Sequence, residues 1–522
     1  MMRRTTPRRS LGACVLLITA PTALAQLGSL TPPPGAVTQT MTPLADVEPR
    51  TPVGPDTTPG NNAVVFIIDR PGSFYLTQTL GAPSNDVAIR ISASDVTLDL
   101  NGFTVRPSTG GFPIGATGSG DGRGISFPTD GVQIESGHRN IRVFNGTIRG
   151  FSGTGLSITA DDVTLEDLRL EDTTLWGVDT EGSSDARLVN CHATGNGGTN
   201  TDLTGGFLLS GGAAAEGCTS TDSVGTAFRI INSSSTLCNC HAKGAGGSGF
   251  FVDSSDVRLF DCIATQGDQH GFFALSAADV EYVRCTSTGN TWAGFRSTGS
   301  HTWTDCVASN NRTFGIDTDE FDVVPECIIL RCQVRFNVFE GLRLNGRVTV
   351  EDTIMQGNGD SGINASGDEA FIRRCTFIDH SGTAISVLSP DASVIEDTVV
   401  TNAGGSAIRC GTDTIVEGCR INNAGRGITA TTPGCVIRDC VVVNAQLYAI
   451  DCITTGENVV IEGCTLQSND VGIRLGDNQN ALVIANRIRA ATSAIVGTTG
   501  NRVGNIVADP TLSTSPADNL TQ

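Results

Sequence analysis

Lysine is all but missing from this 522-residue chain: Lys243 is the only one, and arginine supplies the rest of the 34 basic residues against 54 Asp and Glu. A net charge of −20 without a basic stripe argues against a nucleic-acid partner, because phosphate binding needs clustered Lys and Arg. Aromatic residues are scarce, at 5%. After the first 25 residues no apolar run approaches the ~20 needed to span a bilayer as a helix. Nor does any stretch hold i, i+3, i+4 apolar spacing long enough to make a helix. CxxC spacing does not occur among the 17 Cys, so a zinc or iron–sulfur centre is not expected. Cys238-Asn239-Cys240 on a strand would point its two thiols to opposite faces.

What the chain does have is a repeat. Val257–Leu275 reads V-x-L-x-x-C-x-A, a polar turn, then G-F-x-x-L, and versions recur at Cys327–Leu344, Cys435–Cys452 and Val459–Leu475. With its Cys as register mark, the mark falls on Asn101, Gly146 and Leu168. It then falls on Cys191, Cys218, Cys240, Cys262, Cys285, Cys306, Cys332, Thr353, Cys375, Thr398, Cys419, Cys440, Cys464 and Asn486, mostly at steps of 21 to 24 residues. Apolar residues recur at −5, −3, 0 and +2 from the mark, then at a Gly-Ile/Phe pair and two residues on, which is the period-two signature of strands buried on one face. Three short strands and three corners of Gly, Asn, Asp, Ser and Thr per repeat describe one turn of a single-stranded right-handed parallel β-helix. About 17 coils at ~4.8 Å each make a shaft of roughly 80 Å. A leucine-rich repeat would need a regular Leu framework, and Val, Ile, Ala, Thr and Gly dominate here. Asn290, Asn311, Asn337, Asn358, Asn402, Asn423, Asn444 and Asn469 follow the mark by four or five residues, a place suited to left-handed turns and coil-to-coil amide bonding. Eleven Cys on the mark predict a reduced ladder inside the shaft, with bridges left open among Cys238, Cys327, Cys410, Cys435 and Cys452.

The segments VTLDLNGFTV (Val96–Val105) and NIRVFNGTIRG (Asn140–Gly150), with the coils above, resemble the secreted bacterial β-helix repeat proteins of the pectin-lyase-like superfamily. The resemblance spans roughly 63–510. It implies the fold, and it leaves activity open among lyases, hydrolases, epimerases and adhesins. The NTD, DD, GHG and RIK motifs of polygalacturonase-like families do not occur as a set, and the DPHD motif of alginate epimerases is absent.

Along the chain, residues 1–25 read as an export signal: Arg3, Arg4, Arg8 and Arg9, an apolar Leu11–Ala20, and Ala23-Leu24-Ala25 as cleavage site. Both general and twin-arginine export remain open. Residues 26–62, rich in Pro and Thr, read as an extended arm; 63–510 as the β-helix with its caps; 511–522 as a loose tail. The mature protein is expected outside the cytoplasm as a monomer. Insertions at Arg106–Asp130, Gly195–Gly206 and Asp317–Glu326 flank the G-[IF]-x-[IL] strand and would rim its face.

The outward residue of that strand runs Asp179, Leu208, Arg229, Phe251, Phe273, Arg296, Asp317, Arg343, Asn364. Aromatic rings stack on sugars and Arg pairs with carboxylates, so Arg229, Phe251, Phe273 and Arg343 are candidate contacts for an extracellular uronic-acid polysaccharide. Asp317, Asp319, Glu320 and Asp322 are candidate calcium ligands. If the polymer is cleaved, by a polysaccharide lyase or glycoside hydrolase, Arg296 or His270 would act as base with Asp317 holding the ion. The competing expectation is a non-catalytic surface or adhesion scaffold in which Phe251 and Phe273 merely pack and the Arg–Asp neighbours are surface ion pairs. A second ladder, Glu351, Arg373, Glu396, Glu417, Arg438, Glu462, reads as surface pairing only.

Overall fold

The computed structural model describes residues 49–521 apart from 84–86, 109–129, 199–202, 233, 276–278, 319–325, 389–391, 453–456, 478, 509–512 and 514. The described chain is all-β and winds into a right-handed parallel β-helix of about 18 turns. In the coil marked by Cys262 the first strand is Arg258–Phe260, the second Ile263–Thr265 and the third Phe272–Ala274. Each pairs in parallel with its counterpart one coil on: Leu259 with Tyr282, Ala264 with Ser287, Phe272 with Phe295. The next coils continue in the same register. A side chain therefore meets the equivalent side chain of the next coil ~4.8 Å away.

Inside, each file has its own chemistry. Cys262, Cys285, Cys306 and Cys332 are sealed from solvent, and their thiols reach the carbonyls of Leu237, Leu259, Tyr282 and Trp303 in the preceding coil at 3.3–3.6 Å. Cys is small, apolar and a weak donor, which suits a tight corner with one unspent carbonyl. Thr353 takes the place of Cys on the mark and accepts the Cys332 N–H at 3.2 Å. All 16 Cys among the described residues are free thiols, the five off the mark included. Burial pushes the Cys375 and Cys327 thiols up to about 12. On the third strand Phe207, Phe228, Phe250, Phe272 and Phe295 stack nearly parallel, with centroids 4.7–4.9 Å apart.

The eight repeat Asn residues split into two sets. At +5, Asn290, Asn311, Asn337 and Asn358 are fully buried, and the side-chain amides of the first three each donate to the Oδ1 of the next at 3.0–3.1 Å. The Oδ1 atoms of Asn311, Asn337 and Asn358 also accept the preceding Asn's backbone N–H. Asn469 is buried in the same way. At +4, Asn402, Asn423 and Asn444 are exposed and left-handed, with φ of 58°, 60° and 58°. One residue of offset decides between a core amide and a turn residue. The inner ladder also explains the Gly of G-[IF]-x-[IL]: a Cβ on Gly294 would stand 2.6 Å from Asn311 Nδ2 and 2.7 Å from the Gly315 carbonyl.

The shaft ends differ from expectation. Residues 50–62, placed in the arm by composition, belong to the body: Thr51–Pro52 pairs with Phe74–Tyr75, and Pro59–Asn61 forms an antiparallel pair with Val64–Ile68. The tail is not loose throughout, because Asn519–Thr521 pairs with the last coil. Asn519 drives this: its buried amide accepts from Asn486 and donates to the Val483 and Gly504 carbonyls, extending the amide ladder past the last repeat. Outside, Arg373 pairs with Glu351 at 3.9 Å and with Glu396 at 3.3 Å, and Arg438 with Glu417 at 2.5 Å, as surface pairs. Lys243 stands exposed on the second-strand face, in file with Thr221 and Thr265.

Two measurements check this interior. With a water-soluble thiol reagent, the folded protein should titrate at Cys238, the only described thiol that is not buried, and the remaining described thiols should react only after denaturation. Replacing Asn311 with Ala strands the amides of Asn290 and Asn337, and should cost about 2–4 kcal/mol in native-state hydrogen exchange of the adjoining coils. Asn423→Ala, which strains a left-handed turn and loses one exposed amide bond to Asn402, should cost about 1 kcal/mol.

Candidate functional site

Register alone builds the candidate face. Asp179, Leu208, Arg229, Phe251, Phe273, Arg296, Asp317, Arg343 and Asn364 pair position by position and stand in one unbroken file on the third strand. They are not equally open. Phe251 is 8% exposed and Asp317 1%, whereas the Arg296 and Arg343 side chains keep 27% and 28%. Of the expected rim, residues 109–129, 199–202 and 319–325 lie outside the described residues, and Asp319, Glu320 and Asp322 with them.

Asp317 is a clamp for two guanidinium groups. Arg343 donates through Nε to Oδ1 at 2.9 Å and through Nη2 to Oδ2 at 2.8 Å, and Arg296 Nη1 reaches Oδ2 at 3.3 Å. The Arg343 guanidinium also lies over the Phe314 ring, 3.9 Å from its centroid. With both oxygens engaged by cations, Asp317 does not fit the calcium-ligand role expected of it: a bound ion would have to displace both arginines. One carboxylate is thus shared by two guanidinium groups on the face of an acidic chain.

Beside this clamp lies an aromatic shelf. Arg229 sits 5.3 Å over Phe251, and Phe251 meets Phe273 edge to face at 5.2 Å. His270 packs 5.1 Å from Phe273 and 5.0 Å from Trp292, and its Nδ1 accepts the Ala293 N–H at 3.2 Å. Burial, helped by the charge of Arg296, lowers the His270 imidazole to about 3. A ring so weakly basic, with one nitrogen committed to the backbone, is a poor proton acceptor. Arg296, held against Asp317, has no lone pair to offer.

The outward file does not contain the most exposed aromatics. Phe336 is 51% exposed, and Trp292 and Phe339, each 48% exposed, stand at the neighbouring corner, seven residues past their marks Cys285 and Cys332. Phe314 lies between them in the chain, 5.7 Å from Phe339. The signal was present: aligning the corner by the same mark puts two large rings at +7 in a chain poor in aromatics.

At the other end of the file Asp179 is held differently. Its Oδ1 accepts the Glu181 N–H at 2.8 Å. Burial, then the nearby charges of Glu181 and Asp130, raise it from 3.8 to about 6. The folded protein therefore binds this proton more tightly than the unfolded chain. The contribution to stability is intact below about pH 4 and is lost as pH rises through 6.

The family profile described as "Right handed beta helix region" matches residues 130–286, 203–334 and 326–488. No curated protein is detectably similar in sequence. Among solved structures, the A-module of an Azotobacter vinelandii mannuronan C-5 epimerase is 13% identical over 83% of this chain and 90% of its own, with a TM-score of 0.27. The pectate lyase Pel9A is 14% identical over 57% and 69%, at 0.25. The receptor-binding tailspike of bacteriophage Det7 is 11% identical over 74% of each chain, at 0.30. No activity passes from such distant superpositions to this chain. The profile, reaching across most of the coils, shows that the chain belongs to the right-handed β-helix family.

Proposed function

We propose that this chain is an exported solenoid that binds an acidic, uronic-acid-containing polysaccharide along the third-strand face, and that this strip holds the polymer rather than cleaving it. The observation that carries the reading is the single file Arg229, Phe251, Phe273, Arg296, Asp317, Arg343, in which arginines flank a pair of Phe rings, Phe251 largely buried, with Trp292 and Phe339 exposed beside it. A sugar ring offers an apolar face to an aromatic ring and a uronate offers its carboxylate to a guanidinium, so the two residue types side by side suit one residue class of polymer. Coil spacing of ~4.8 Å is close to the length of one pyranose unit in an extended chain, which favours a polymer lying along the shaft. Binding without cleavage is supported by His270 and Arg296, neither of which has a proton-accepting site to spare. Export is supported by the Arg-rich, apolar and small-residue order of residues 1–25.

The test is a panel of polygalacturonate, alginate and neutral dextran, read by affinity electrophoresis and by release of unsaturated product. Retention of the uronates, and not of dextran, is expected. Phe273→Ala combined with Trp292→Ala should weaken it roughly tenfold or more. Equal retention of dextran would sink the reading, and unsaturated product would place a base somewhere off this strip. Retention should also depend on pH through Asp179. At fixed ionic strength, binding should strengthen by about two- to threefold from pH 8 to pH 5 as this carboxyl takes its proton, and Asp179→Asn should flatten the profile.

A further inference from the structure

The pairing of an aromatic ring with an outward-file Asp three residues on occurs three times among the described third strands: Trp176 and Asp179, Phe314 and Asp317, Tyr448 and Asp451. In the second and third copies the next coil supplies an arginine that grips the Asp through the same two donor atoms. Arg474 donates through Nε to Asp451 Oδ1 at 2.8 Å and through Nη2 to Oδ2 at 2.6 Å, as Arg343 does to Asp317. Its guanidinium lies 3.6 Å from the Tyr448 centroid, as that of Arg343 lies over Phe314. A second arginine approaches the same carboxylate from the preceding coil: Arg426 Nε stands 3.3 Å from Asp451 Oδ2. It comes from three residues before Thr429, which holds the register position that Arg296 holds at Asp317. In the first copy the next coil carries Leu208 instead, and no such clamp forms.

The two clamps lie in one file. From Asp317 the outward residues run Arg343, Asn364, Ser386, Arg409, Thr429, Asp451, Arg474. Six coils therefore separate the two Asp residues, about 29 Å at ~4.8 Å per coil. The second clamp has donors to spare. Arg474 uses Nε and Nη2 on Asp451 and Nη1 on the Tyr448 hydroxyl at 2.8 Å, which leaves two of its five N–H groups. Arg426 keeps 42% of its side chain exposed. Two coils before Asp451, Arg409 is exposed and has no ion pair among the described residues. Two guanidinium groups on one buried carboxylate, with that of Arg409 two coils before Asp451 in the same file, make a cationic island on this face.

We infer that Arg426 and Arg474, held on Asp451 and Tyr448, together with Arg409 two coils before Asp451, form a second anion-reading station that takes a carboxylate or sulfate group of an acidic glycan six coils from the first. Asp451 holds Arg474 flat on the tyrosine, so its free edge is presented without ordering cost, and Arg426 and Arg409 supply the remaining donors. This rests on the reading of the face as a glycan-binding strip, and it adds that one polymer is held at two points. A ligand too short to span them would bind at either station separately.

The experiment uses the full mature chain with oligogalacturonates of about three and about ten units, read by titration calorimetry. Wild type should bind two short oligomers per chain, and the long oligomer about tenfold or more tighter than the short one. Arg409→Gln with Arg426→Gln should reduce the short-oligomer stoichiometry to one and abolish the gain for the long one, with an unchanged thermal midpoint. Phe273→Ala should remove the other equivalent. Should the double variant fold poorly, Arg409→Gln alone, at an exposed unpaired side chain, should still weaken the long oligomer. One short oligomer per chain, insensitive to Arg409 and Arg426, would overturn the second station and leave the first standing. One equivalent that depends on Arg426 and not on Phe273 would uphold the second station and overturn the first. No binding by either oligomer would overturn both.

Discussion

Parallel pairing at a fixed interval is the constraint from which the rest of this molecule follows. Once one coil is hydrogen-bonded to the next in register, every side chain has its counterpart as a permanent neighbour about 5 Å above and below. Each file must then be built from residues that tolerate their own kind. Phenylalanines do so by stacking, asparagines by passing an amide bond along the column, and thiols by turning to the carbonyl of the coil beneath. Charges do not tolerate their own kind. Where the outer files carry them, opposite signs mostly neighbour each other, as in Arg296, Asp317 and Arg343 or Glu351, Arg373 and Glu396, although Glu396 also stands beside Glu417.

That pairing of signs also limits what the candidate face can do. A carboxylate clamped by two guanidinium groups is rigid and well solvated by its partners, but it is spent as an acid, a base or a cation ligand. The gain lies with the arginines. The plane of Arg343 is fixed on the Phe314 ring and on Asp317. The geometry favours recognition over bond breaking, in a chain whose overall charge would otherwise repel an anionic polymer.

Much of this was legible in the residues. The spacing of Cys191 through Cys464 announced the winding and the reduced ladder, and counting one past the Ile or Phe gave the outward file in its correct order. Three things were not legible, each for a physical reason. Asn at +4 and at +5 look alike in a string, yet one residue of phase turns the side chain from solvent to core. Trp292 and Phe339 sit at a corner, where the period-two rule that singled out Phe251 and Phe273 stops applying. The chain ends resisted composition: Thr51–Pro52 and Asn519–Thr521 lie in segments with loop-like content, and they are ordered because an open coil end leaves backbone groups needing partners.

Replacing lysine by arginine almost everywhere has a practical outcome at Lys243. Apart from the chain's own terminus, that side chain carries the protein's single primary amine. It projects from the second-strand face, in line with Thr221 and Thr265, while the Arg and Phe file belongs to the third. Amine-directed coupling to a bead, sensor chip or fluorophore thus grips the shaft at one internal point on another side, and leaves the whole length of the candidate strip facing the solution in a uniform orientation.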